Sequence, residues 1–312
     1  MPSLFEILVE IVLFLNLGIF LKRIHVLNEI SGRRLLSVSL NILLPIIVFR
    51  SFAAVKVSLE ECFLPLIGLM INLSLLAIAY LVSGRLAMNS SKRGAFLLAC
   101  STLNIGIIGL PFISLFFDTK GVATASLLDI GNSIYVFSIA FLVASRFNPL
   151  KVKKSLRSNI KSLLIQPYII SIIAGLAANL LGLELPKQVS ELISVVSLLN
   201  VIVVLLATGV FITLPSKNIM REVFSSAFVK ISAGGLIGFT FASLFRLPPE
   251  KLGVVIIVSS LPPAFMTLAH ASAENLDLEF ASILLGSMLA LGIPVIVFYG
   301  LLFSFQGFSC LS

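Results

Sequence analysis

Apolar runs of about twenty residues, nearly free of charge, recur along almost the whole of this 312-residue chain, and a lipid bilayer is the environment such a pattern demands. Ten segments can be marked: about 4–21, 35–55, 63–83, 94–117, 122–145, 162–182, 189–213, 223–245, 252–273 and 279–305. Only 12% of residues are charged and the mean hydropathy is +1.13, a balance that soluble globular domains do not show. The spans consume the length, which leaves no room for a soluble domain. Met1 to Glu6 lack a basic stretch and a small-residue cleavage site, so they read as the start of the first span rather than as a removable signal.

The net charge of +8 raises the question of nucleic acid. The basic residues, however, sit between apolar segments and form no aromatic-interleaved stripe, so topology explains them better. Connections one, three, five and seven hold sixteen Lys and Arg, Lys230 included, against six on the other side. That asymmetry predicts a multi-pass protein of the cell membrane, plasma or inner, with cytoplasmic odd-numbered connections and both termini outside. The fifth connection, with six basic and no acidic residues between Arg146 and Lys161, reads as a cytoplasmic linker, residues 148–161, between halves 1–147 and 162–312. Cys62, Cys100 and Cys310 are far apart and without metal-site spacing, so neither a disulfide framework, a metal site nor a cofactor is expected.

Shifting the sequence by 159 lays Asn41 on Asn200, Ser101 on Ser260 and Asn104 on Pro263. Two halves of five spans each insert with opposite orientation, the inverted-repeat plan of many secondary transporters. The same shift brings two interrupted segments into register. In the fourth span, Gly106, Gly109 and Pro111 are expected to break the helix at mid-membrane. In the ninth, Pro262 and Pro263 cannot both lie in a regular helix interior, and Pro263, like Pro111, suits the first position of a new half-helix. Broken backbone at that depth survives only inside protein or along a water-filled cavity. Two crossed breaks would offer free N–H groups and positive helix ends to an anion, above all a carboxylate.

Polar residues within the spans add candidates. Asn104 lies in the first break and is expected to face a substrate. Asn41 and Asn200 admit two readings, a glue between helices or a place in the site. Asp129 is the costliest residue, an intramembrane carboxylate suited to a coupling proton or cation, with Asn132 one turn on. His270 and Glu274 have the spacing of a titrating pair, but at a span's end they read first as snorkelling groups. No HExxH, GxSxG, Walker loop or paired acidic motif is present, so the chain does not read as an enzyme.

Four elements together resemble the auxin efflux carrier family, which includes plant PIN proteins and bacterial malate-type permeases. They are Asn104 to Pro111, Leu128 to Asn132, Asn41 to Pro45, and Leu261 to Ala264 with a later span ending near Pro294. The resemblance implies ten transmembrane helices in two inverted five-helix repeats with crossed helices four and nine, like sodium/bile-acid symporters and sodium/proton antiporters. It implies a scaffold around spans one, two, six and seven, elevator-type transport of organic anions, and a homodimer. In this sequence Asn104 and Pro111 match the first crossover, Pro262 or Pro263 the second, and Asp129 with Asn132 the fifth-span motif. The seventh span departs, reading Val201 to Leu205 where members often carry a proline. The expected function is therefore a secondary carrier of a small organic anion, a mono- or dicarboxylate, with membrane lipid as its surroundings and no nucleic acid partner. Asn41, Asn104, Gly106, Gly109, Pro111, Asn132, Pro262 and Pro263 are expected to bind the substrate, and Asp129 a coupling proton or sodium ion. The alternative is a sodium/proton antiporter on the same architecture.

Overall fold

The computed structural model describes residues 4–54, 63–117, 119–150, 167–183, 185–212, 215 and 217–309, so residues 151–161 of the basic linker, Cys62 and Cys310 lie outside the described residues. Among the described residues the fold is all helix and turn. α1 (Leu4–Arg23) is followed by α2 (Glu29–Val38) and α3 (Leu44–Ala54), which are joined through a wide π turn, Ser39–Leu43. α4 (Leu64–Ser83) precedes α5 (Ser90–Ser101), and a second π turn, Ile105–Gly109, opens α6 (Leu110–Phe116). α7 (Thr119–Tyr135) runs through the turn Val136–Ala140 into α8 (Phe141–Arg146). Then come α9 (Pro167–Leu180), α10 (Lys187–Phe211), and α11 (Met220–Ala227) with α12 (Gly234–Leu244) across a π turn, Phe228–Ala233. α13 (Pro249–Ser259), α14 (Met266–Ala273) and α15 (Leu278–Ser309) complete the chain.

These helices overlie the apolar segments marked in the sequence. Five of the helical runs, 64–83, 119–146, 187–211, 217–244 and 278–303, are long and apolar enough to cross a membrane, and the bent pair 90–101 and 105–116 makes six. Polar backbone is thereby satisfied within each run, as hydrocarbon requires. Outward-facing Val, Leu and Phe on α1, α10 and α12 are what lipid contact calls for.

Packing sorts the helices into two groups. α1, α2, α3, α9 and α10 lean on one another, while α4, α5, α7, α12, α13 and α15 form the second set. Glycines set the closest approaches. A Cβ at Gly131 on α7 would overlap the Pro65 carbonyl oxygen of α4, and one at Gly68 on α4 would overlap the Leu128 carbonyl of α7. The two helices therefore meet backbone to backbone, the contact small residues allow in membranes. Gly18 and Gly209 do the same for α1 and α10.

The first break lies upstream of the glycines and proline expected to cause it, while the second falls at its proline pair. The first covers Thr102 to Asn104, just upstream of the expected residues, and bends the run by 41°. Gly106 and Gly109 lie in the π turn, and Pro111 sits in α6 as ordinary helix. The turn's wide spacing, with Leu110 N–H reaching Ile105 O, accommodates the proline. The helix ends instead where Ser101 and Thr102 hydroxyls take the carbonyls of Leu97 and Leu98 and Thr102 turns extended. In the second break, Pro263 does not begin the half-helix. Leu261 to Ala264 stay outside any helix and α14 starts at Met266, because each proline disfavours helical geometry in the residue before it.

The α4–α7 contact makes a direct prediction. Gly131→Ala has no space and should lower the stability of the detergent-solubilised protein by about 1–3 kcal/mol. Gly84→Ala, whose Cβ would meet its nearest neighbour at 3.5 Å, should melt at the wild-type temperature.

Candidate transport site at the crossing of two broken helices

The two extended segments cross and bond to each other. Asn104 N–H donates to Pro262 O at 3.1 Å, and its side-chain amide donates to Pro263 O at 3.2 Å. From the other direction Ala264 N–H donates to Thr102 Oγ1 at 3.2 Å, and the Thr102 and Thr267 hydroxyls share a hydrogen bond of 2.8 Å. Thr102, Asn104, Pro262, Pro263 and Thr267 are all buried. Gly109 is needed here for space, since a Cβ would come within 2.7 Å of Leu261 Cδ1. Gly292 on α15 faces Pro262 in the same manner, with 3.1 Å to Pro262 Cγ.

Asn132 holds the first break from the side of α7. Its Nδ2 donates to Leu103 O at 3.1 Å and to Asp129 Oδ1 at 2.8 Å, and its Oδ1 accepts from Leu103 N–H at 3.3 Å and from Asn72 Nδ2 at 2.8 Å. One amide thus acts as the partner strand that an extended residue lacks inside a membrane. Asp129 and Asn72 fix which end of that amide is oxygen. The arrangement commits Asn132 to backbone, and the Asp129 carboxylate carries part of that positioning.

Lys230 is the residue that the sequence reading misplaced. Counted there as a loop cation, it is instead 1% exposed in the π turn between α11 and α12, and its ammonium donates to Thr102 O at the end of α5. A cation at a helix C-terminus meets the negative end of the dipole. Fifteen basic residues remain on the odd-numbered connections once Lys230 is removed from the sixteen. The available signal was its place inside the marked segment 223–245, two turns past the start. Thr102, Thr267 and Asn72 were also missed, because isolated Thr and Asn in apolar helices carry no pattern of their own.

Other candidates make no hydrogen bond to the crossing segments. Asn41 is exposed and its amide returns to Ser37 O and Oγ at 2.9 and 3.1 Å, although its turn, Ser39–Leu43, packs against the turn Ile105–Gly109 that follows the first break. Asn200 is buried and accepts from Ser39 Oγ at 2.6 Å, joining α10 to the turn between α2 and α3 as a helix glue. His270 and Glu274 do not snorkel. Both are buried, with His270 Nε2 against Val136 O at 3.0 Å and Glu274 accepting from Asn148 Nδ2 at 2.8 Å, which ties the far end of α14 to the α7–α8 run. Among the described residues no group of three or more His, Cys, Asp or Glu could hold a metal ion.

Replacing Asn132 by Leu leaves Leu103 N–H and C=O buried without partners, at about 1–3 kcal/mol each. Asn132→Leu should therefore unfold at clearly lower temperature or denaturant, whereas Asn41→Leu, which loses only an exposed contact within its own helix, should be close to neutral.

Comparison with known proteins agrees with the geometry. The family described as "Membrane transport protein" matches residues 3–299. An uncharacterized transporter of Methanothermobacter thermautotrophicus is 23% identical over 286 residues, covering 89% of this chain and 91% of the relative. An uncharacterized transporter of Methanocaldococcus jannaschii is 23% identical over 284 residues, covering 88% and 90%. The chain belongs to this family of membrane transport proteins, the auxin efflux carrier family that its motifs resemble.

Proposed function

We propose that the protein is a secondary carrier for a small organic anion, a mono- or dicarboxylate, and that the crossing of the two breaks is its binding site. One observation carries the reading: two interrupted helices cross inside the molecule, and Asn104 bonds both carbonyls of the opposing proline pair. The half-helices that leave this crossing begin at Ile105 and Met266; the N–H groups of Ile105 to Ile107 precede the first helical acceptor, whereas Thr267 and Leu268 N–H already donate to Ala264 O and Phe265 O. Such ends favour a carboxylate over a neutral or cationic solute.

The further proposal is a ten-helix inverted repeat working as an elevator. Its support is the pairing of Asn104 with Pro263, 159 residues apart, which is the spacing of the internal repeat, and the sorting of helices into two packed groups. In this scheme the group of α1, α2, α3, α9 and α10 stays fixed and the group bearing both breaks moves. Asp129, bonded to Asn132 beside the first break, is the carboxylate available to a coupling proton or cation.

Counterflow in proteoliposomes tests the reading. Vesicles preloaded with short-chain carboxylates should accumulate the labelled compound, and Asn104→Ala should slow exchange by about tenfold or more, as expected when an interaction in the moving complex is lost. Uptake of neutral solutes alone, or exchange unchanged in Asn104→Ala, would overturn the site assignment.

A further inference from the structure

We propose that Lys230 supplies the positive charge that binds the substrate's carboxylate at the crossing; the assignment rests on the anion-carrier reading above. The residue stands at the right place. Its ammonium donates to the carbonyl of Thr102, whose hydroxyl bonds Ala264 N–H and Thr267 Oγ1, so one residue links Lys230 to both breaks. Lys230 reaches that point because α11 and α12 are joined through the wide turn Phe228–Ala233, and because Gly234 and Gly238 let α12 approach α13 closely. A Cβ at Gly234 would overlap Ser259 O, and one at Gly238 would overlap Ser259 Oγ.

The energetics point from a structural cap to a binding charge. An ammonium has three N–H donors, and among the described residues the hydrogen bond Lys230 makes is the one to Thr102 O, with no carboxylate paired to it. A neutral donor would cap that carbonyl at far lower desolvation cost, since an unpaired ion in the interior costs several kcal/mol. Charged side chains at membrane depth are accordingly rare and line the pathway of an ion or substrate. The ligand matching two spare ammonium donors beside two half-helix starts is a planar anion, a carboxylate above all. Lys230 then discriminates between a carboxylate and the amide of the same shape, because the amide leaves the buried charge uncompensated.

The test uses the purified full-length protein in detergent and three pairs of probes: acetate and acetamide, succinate and succinamide, benzoate and benzamide. Ligand-induced shifts in melting temperature give a Kd for each by mass action. Lys230→Gln keeps a donor for the Thr102 carbonyl and removes the charge, while Lys230→Arg keeps both. The expected result is that wild type responds to at least one carboxylate and not to its amide. Lys230→Gln, still melting cooperatively, should bind that carboxylate about 50-fold or more weakly, the scale of a truncated buried charge pair. Lys230→Arg should stay within about tenfold of wild type. A Lys230→Gln protein that binds the carboxylate within about threefold of wild type makes Lys230 a cap and overturns the assignment, leaving the carrier reading intact. A wild type that binds no carboxylate, or binds acid and amide alike, overturns the anion-carrier reading itself and this inference with it. If Lys230→Gln does not fold, the wild type decides by zero-length coupling. A water-soluble carbodiimide converts the bound carboxylate to an O-acylisourea, the deprotonated Lys230 amine attacks its acyl carbon, the urea leaves, and an amide forms. Peptide mass spectrometry should find that amide on Lys230 under saturating succinate, and its absence there under binding conditions is the overturning result.

Discussion

Backbone hydrogen bonding at the two breaks governs this molecule. A helix in hydrocarbon satisfies its own N–H and C=O groups, and each residue taken out of the helix releases them at a cost of several kcal/mol. The chain does this twice, at Thr102 to Asn104 and at Leu261 to Ala264, and nearly every released group can be traced to a partner. Thr102 N–H stays with Leu98 O, Leu103 is paired on both sides by Asn132, and Asn104 O accepts from Ile108 and Gly109. The crossing is therefore an inserted two-segment pairing, completed by side chains where no strand is available.

The two segments solve the problem by different chemistry. Pro262 and Pro263 have no N–H, so their segment offers chiefly acceptors, and Asn104 supplies a donor to each carbonyl from its backbone and from its side chain. The opposing segment carries donors and acceptors and requires neighbours. α7 contributes Asn132, α4 contributes Asn72 behind it, and the turn between α11 and α12 contributes Lys230. The repeat expected from sequence is thus asymmetric in its supports, since one break is stiffened by proline rings and the other by buried polar side chains.

Much of this architecture was legible in the residues. Long apolar runs mark the helices, and the 159-residue shift that lays Asn104 on Pro263 places both breaks in one register. The limits are physical. Glycine and proline mark where a helix can be interrupted, yet the wide turn at Ile105–Gly109 absorbs Gly106, Gly109 and Pro111, and two hydroxyls back-bonding to Leu97 and Leu98 end the helix earlier. Hydroxyl back-bonding depends on rotamers that no periodicity records. Lys230 escaped for a related reason: counting loop charge treats every Lys near a segment edge as solvated. A buried ammonium is distinguished only by the carbonyl it meets, which comes from a helix 128 residues away. His270 and Glu274 were misjudged similarly, because span ends are solvated only if nothing packs over them, and here Asn148 and Val136 do.

The pairing at the breaks also fixes what the crossing has left to offer. Its extended backbone accepts bonds from Asn104, Asn132 and Lys230, so those carbonyls are occupied. The unspent backbone capacity lies chiefly at the start of the first half-helix, Ile105 to Ile107, because at the second Thr267 and Leu268 N–H already meet Ala264 O and Phe265 O. What the crossing has to offer a solute is thus set first by the interruption of the helices itself, before any side chain selects the shape of the solute.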